Sequence, residues 1–156
     1  MEQVVLKQLE IVRQLTVNAV KDLTEETVVK IPEGFNNHIK WNLGHIYLVQ
    51  ERFAFFFSGE PMNLPENFDR LFGRGTKPAD WNEEVPTLSE LLVLLEEQPK
   101  RIQESLKGRL NESVERPYTT SSGVTLSTIG EFINFSLYHE GLHLHAISTL
   151  KRFINR

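Results

Sequence analysis

Apolar positions recur at three- and four-residue spacing in four long stretches of the chain, the period of an amphipathic helix. In the first, about residues 2–22, Val5, Leu9, Val12 and Leu15 form the stripe. Thr24-Glu25-Glu26 and Ile31-Pro32-Glu33-Gly34 then break it. The second covers about residues 37–57, with Asn36 or Asn37 as its N-cap, and is rich in aromatics: Trp41, Tyr47 and the run Phe53-Ala54-Phe55-Phe56-Phe57. Gly59 and Pro61 end it. The third opens on Thr87-Leu88-Ser89-Glu90, a capping box, and runs through Leu91, Leu92, Leu95 and Ile102 to about residue 106. Pro99 lies inside it and is expected to kink it. The fourth covers about residues 126–154, with Thr125 as the expected N-cap. At ~1.5 Å per residue it would be about 43 Å long, so its ends should project or fray.

The connections are unequal. Residues 58–86 hold Gly59, Pro61, Pro65, Gly73, Gly75, Pro78 and Pro86, which is too long for a tight turn between neighbours. They read as a crossover with a short helical turn near residues 68–72. Residues 108–124 read as an extended or turning link, without a strand pattern. The prediction is an all-α fold: a four-helix bundle forming a single domain over residues 1–156, with a long crossover between the second and third helices.

Composition narrows the function. Lys and Arg number 17 against 21 Asp and Glu, and a net charge of −4 lacks the footprint of a general nucleic-acid binder. Cysteine is absent, which excludes disulfides, thiolate ligands and a cysteine nucleophile. Charges interrupt the apolar residues of Met1 to Leu15, unlike a signal peptide, and no window approaches the roughly 18 apolar residues of a membrane span. A cytoplasmic protein with no membrane partner is expected.

The sharpest motif is His139-Glu140-Gly141-Leu142-His143. An i, i+4 pair lies on one helix face, where two imidazoles can chelate one ion. At ~100° per residue, Phe132, Phe135, Ser136, Leu142, Ala146 and Leu150 share that direction, so the pair should face the core. His145 falls roughly opposite and should face solvent. His45 lies midway along the second stretch, on a face shared with Trp41, Leu48, Val49, Arg52 and Phe56. Two readings stand: three histidines on one divalent metal, or core histidines each hydrogen-bonded to a carbonyl or side chain. Gly44 beside His45 fits a close approach by another element or by the metal site.

His-Glu-x-x-His is also the zinc metalloprotease signature, with Glu140 as general base. Such enzymes take a third ligand from downstream. The tail after His143 offers no Asp or Glu, and its one histidine, His145, faces away. A metalloprotease is therefore disfavoured, although Glu140 could still border an ion's open side. Arg52 could receive a substrate carboxylate, or sit in water at the bundle end. His38 shares the face of His45, Asn42 could orient a ligand, and Ser136 could hydrogen-bond near His139. The aromatic run reads as core plus a dimer surface, or as a substrate wall.

The segment Asn-His-Ile-Lys-Trp-Asn-Leu-Gly-His ending at His45, followed by the core His139-x-x-x-His143 near the C-terminus, resembles the DinB-like (DNA-damage-inducible) superfamily. The resemblance covers nearly the whole chain. It implies an up-down-down-up four-helix bundle, often a homodimer, with one divalent metal, commonly nickel or zinc. By position the ligands would be His45, His139 and His143. Many members carry a Gly two residues after the last ligand, where this chain has His145. Some branches are metal-dependent thiol transferases using bacillithiol, mycothiol or glutathione, and the family name implies no DNA contact.

Three neutral ligands leave an ion with open positions, as in catalytic rather than closed structural sites. With no cysteine in the chain, a thiol must arrive on a low-molecular-weight cosubstrate. The expectation is a thiol S-transferase, or a hydrolase, acting on a small-molecule electrophile. The alternative is a non-enzymatic stress-response or binding module in which the metal fastens two helices. The catalytic candidates are Arg52, Asn42 and Glu140.

Overall fold

The structure, a computed structural model, describes residues 2–155. It is mostly helical with one small sheet. Four long helices, α1 (Glu2–Val20), α3 (Ile39–Glu51), α5 (Leu88–Leu106) and α6 (Ile129–Ile154), carry the core. Two short helices, α2 (Glu25–Val28) and α4 (Phe68–Phe72), lie in the connections. α1 packs on α5 and α6, and α3 packs on the same two. Among the described residues no helix is long and apolar enough to cross a membrane.

The core is two apolar clusters. One gathers Val17 and Val20 of α1, Ile39 to Leu48 of α3, Leu91 and Leu95 of α5, and Ile147 and Leu150 of α6. The other gathers Leu6, Leu9, Phe55, Ile102, Leu106, Phe132 and Ile133. Chain order within the clusters gives the helix directions. α1 and α6 run from the second cluster to the first; α3 and α5 run from the first to the second. Because α3 and α5 point the same way, the link between them must return along the molecule. That accounts for its length and for α4, which sits where the short helical turn is expected and buries Phe68, Leu71 and Phe72.

Local signals explain most boundaries. Thr87 and Glu90 form the expected capping box of α5. Pro99 lies within that helix and is buried. α3 is capped by His38 rather than by Asn36 or Asn37: its Nδ1 accepts from the Trp41 amide at 3.0 Å. α3 then passes into a π-helical turn, Arg52–Phe56, so the aromatic run is wound more loosely than the rest.

Three expectations are corrected. The fold is not all-α, because β1 (Ser113–Thr119) and β2 (Thr125–Thr128) form an antiparallel hairpin. A register irregularity between Ser113 and Tyr118 and a proline at Pro117 erase the alternation a strand would show in sequence. Thr125 pairs with Thr119 in that hairpin, and the N-cap of α6 is Thr128, in a capping box with Glu131. The buried face of α1 is also rotated from the apolar stripe. Leu15 is exposed, whereas Arg13 and Thr16 are buried with Leu9 and Val17.

Candidate metal centre

α3 supplies His45 and α6 supplies His139 and His143. The two helices pack together, and their ligand-capable atoms all lie within 4.8 Å of one another. The ring centroid of His45 is 5.2 Å from that of His139 and 4.8 Å from that of His143; the α6 pair is 4.6 Å apart. His45 is buried and the other two are half-buried. Such a group could hold one metal ion.

Neighbouring atoms fix the chemistry of two rings. The Phe72 carbonyl can only accept, so His45 Nδ1–H donates to it at 2.6 Å. Asn42 Nδ2 donates to the His38 carbonyl at 2.9 Å, which turns Oδ1 toward His143. His143 Nδ1–H therefore donates to Asn42 Oδ1 at 2.8 Å. Both rings are held with their lone pairs on Nε2. Trp41, one turn before His45 on the expected face, stacks on its ring at 4.7 Å and 11°. Gly44 is explained by α4: a Cβ there would lie 2.3 Å from the Phe72 ring. Only a glycine lets Phe72 come close enough for its carbonyl to reach His45.

Electrostatics keeps the rings neutral. Burial, then the proximity of His143 and His45, pushes His139 down to about 3. Burial, then His45, pushes His143 down to about 4. His45 is also lowered, mainly by burial. At neutral pH all three are neutral imidazoles, the protonation state in which histidine ligates a metal.

His45 and His139 open onto a cavity of about 830 Å³. Phe53, Phe56 and Phe57 of the aromatic run line it, with Phe135 and Tyr138 of α6. Tyr118 and the turn residues Thr120, Ser121 and Ser122 of the hairpin close another side. The connection after α3 adds Asp69 and Arg74.

The candidates divide. Asn42 buttresses His143 from behind. Arg52 lines the cavity, with its guanidinium on Asp69. Glu140 is turned away from the histidines. It is 1% exposed, accepts from Arg13 Nε at 2.9 Å and Nη2 at 3.1 Å, and does not line the cavity. That removes it as a base beside the histidine group. Ser136 lies in the same buried network, accepting from Gln50 at 2.8 Å. His38 is a helix cap against Trp81, and His145 is exposed as expected. The partners missed by sequence reasoning are the Phe72 carbonyl, a backbone atom with no side-chain signal, and the cavity residues Arg74, Tyr118 and Tyr138.

Fold and site thus define a mostly helical protein with a three-histidine group open to an apolar cavity. The profile of the DinB superfamily matches residues 8–147, and the chain belongs to that superfamily. No curated protein gives a significant match.

Proposed function

We propose that His45, His139 and His143 hold one divalent ion, nickel or zinc, and that the site promotes addition of a low-molecular-weight thiol or of water to a small electrophile. The observation that carries the reading is the convergence of three neutral imidazoles, two with lone pairs fixed on Nε2, at an open cavity. Imidazole donors suit zinc and nickel, and no carboxylate takes part in the set. A divalent ion bound there supplies Lewis acidity, which lowers the pKa of a thiol or water presented to it.

The chain's own residues then do the rest. Phe72 and Asn42 hold two ring orientations, and Trp41 covers one face of His45. Phe53, Phe57 and Phe135 exclude water from the side of an incoming molecule. Arg52 lines the same cavity with one Nη on Asp69, which supports a role for its remaining N–H groups in orienting that molecule. The openness of the group to the cavity favours this reading over a metal that only fastens α3 to α6. The four long helices make an up-down-down-up bundle on the same proposal, supported by the directions in which they cross the two clusters.

The test is elemental analysis of untagged protein, followed by thiol-conjugation and hydrolysis screens with and without chelator. About one ion per chain and chelator-sensitive turnover are expected. Robust turnover that persists after metal removal overturns the catalytic role. Strong stabilisation by metal without turnover on any substrate would assign the ion a structural one.

A further inference from the structure

The cavity beside the histidines has a lining that selects its occupant. Phe56 is 59% exposed, Tyr138 61%, Leu142 52%, Met62 39% and Tyr118 37%, and all five line this one cavity. Large apolar side chains left in water are ordinary when scattered, but collected around one opening they mark a binding site. The rings are also continuous. Phe53 lies 6.3 Å from Tyr118 and 6.0 Å from Phe135, which lies 5.7 Å from Tyr138. Such a wall accepts a flat apolar body by edge and offset contacts.

The charges in the cavity do not cancel. Arg52 and Asp69 neutralise each other through their ion pair. Arg74 also lines the cavity and makes no ion pair or hydrogen bond among the described residues. A guanidinium beside an apolar wall is suited to a planar oxyanion, which it can bind through two parallel N–H donors. The hydroxyl of Ser121, on the hairpin turn at the same cavity, adds a donor for such a group, while that of Ser122 shares a hydrogen bond with Thr120 at 2.9 Å.

We propose that the cavity takes an amphipathic anion, with an apolar ring system among the aromatic walls and a carboxylate or related oxyanion on Arg74. That this anion is the electrophile acted on at the histidine site rests on the proposed function; the binding selectivity does not. Neutral molecules of the same shape bind without the Arg74 contribution, and strongly hydrophilic anions lack the wall.

The probes are anilinonaphthalene sulfonate and its uncharged analogue phenylnaphthylamine, titrated by fluorescence against metal-free protein and again after metal loading. Near-UV circular dichroism is recorded in parallel to confirm native packing. One sulfonate probe per chain is expected. Arg74→Gln, a substitution at an exposed position, should weaken the sulfonate about tenfold and shift the neutral analogue less than twofold. Leu142→Glu should weaken both probes. The proposal is overturned if Arg74→Gln leaves both affinities unchanged or lowers them equally. It is also overturned if probe binding disappears as the protein self-associates with rising concentration, which would assign the cavity mouth to a second copy. Metal uptake is measured separately: selective probe binding without uptake sinks the metal reading alone, and uptake without selectivity sinks this one alone.

Discussion

Two polar clusters interrupt the apolar interior, and they are built on opposite principles. One is the histidine group, half-open to a cavity, with neutral rings whose ligand-capable atoms lie within 4.8 Å of one another. The other is a closed ionic network. Arg13 donates to Glu140, to the Leu95 carbonyl at 2.6 Å, to Gln98 and to Gln50; Gln98 in turn reaches Glu51, which also pairs with Arg101 at 2.9 Å. On every long helix the network residue falls between the two apolar clusters: Arg13 on α1, Gln50 on α3, Gln98 on α5, Glu140 on α6. Glu140 follows His139 directly, yet the two side chains serve different clusters. A network whose charges are matched and whose donors are used sets the register of four helices. A cluster left with unused lone pairs is prepared for something that arrives from outside.

The largest expected effect breaks the closed cluster. Arg13→Ala leaves Glu140 buried without its cation and should cost about 3–5 kcal/mol in unfolding free energy by denaturant titration. The fraction that folds should bind metal normally. A loss below about 1 kcal/mol would mean that Glu140 has another partner or takes up a proton. The converse is His139→Ala, which should lower metal affinity more than about a hundredfold. The metal-free protein should keep its stability within about 1 kcal/mol. Equal losses of affinity and stability would merge the two clusters into one structural unit.

Gly44→Ala probes the link between packing and site. The Cβ strikes the Phe72 ring, so a cost of about 1–3 kcal/mol is expected, together with weaker metal binding as the Phe72 carbonyl moves off His45. Unchanged affinity would show that this carbonyl does not orient the ring. Asn42→Ala removes the acceptor behind His143 and the side-chain bond to the His38 carbonyl, which keeps its bond from the Asn42 amide; it should reduce metal affinity about 10- to 100-fold at a cost of about 1 kcal/mol in stability. Calorimetric metal titration separates these outcomes.

One effect shows only as a slope against pH. Burial pushes His38 down to about 4, so the unfolded chain protonates first as pH falls. Its contribution is full above about pH 6.5 and is lost as pH falls toward 4, at about 1.4 kcal/mol per unit. In chelated protein the three site histidines add to the same slope, so His38→Asn, which keeps a capping oxygen, should reduce it by about 1.4 kcal/mol per unit and leave the remainder. An unaltered slope would place the His38 titration at its ordinary value.

Much of the helical frame was legible. The capping box at Thr87, the short helix around Leu71 and the long final helix follow from spacing between near neighbours in the chain. The hairpin was not legible, because the strands are short, Pro117 interrupts one of them, and Thr125 suits a cap as well as a strand. The inner face of α1 is hidden from its apolar spacing for a related reason: a stripe counted from apolar residues cannot include Arg13. Its burial is tolerated only because partners on three other helices meet it. At the site, His139 and His143 were legible as a pair and His45 as a third residue on an inward face. Glu140, one position from His139, reads in the sequence as a residue that could border an ion, whereas Arg13, 127 residues away, ties it into the buried network.

By itself, then, the sequence determined where the long helices lie and that His139 and His143 share a face, since a helical period needs only residues within a turn or two. It also determined, by the absence of cysteine, that no thiolate of this chain could take part. The tertiary structure alone decided which polar residues could be buried, which nitrogen of His45 and His143 carries the lone pair, and what walls the cavity. Each of those depends on groups distant in the chain: the Phe72 carbonyl, Asn42 at a separation of 101 residues from His143, and the hairpin that brings Tyr118 to the aromatic wall. Desolvated polar groups take their state from the partners that surround them.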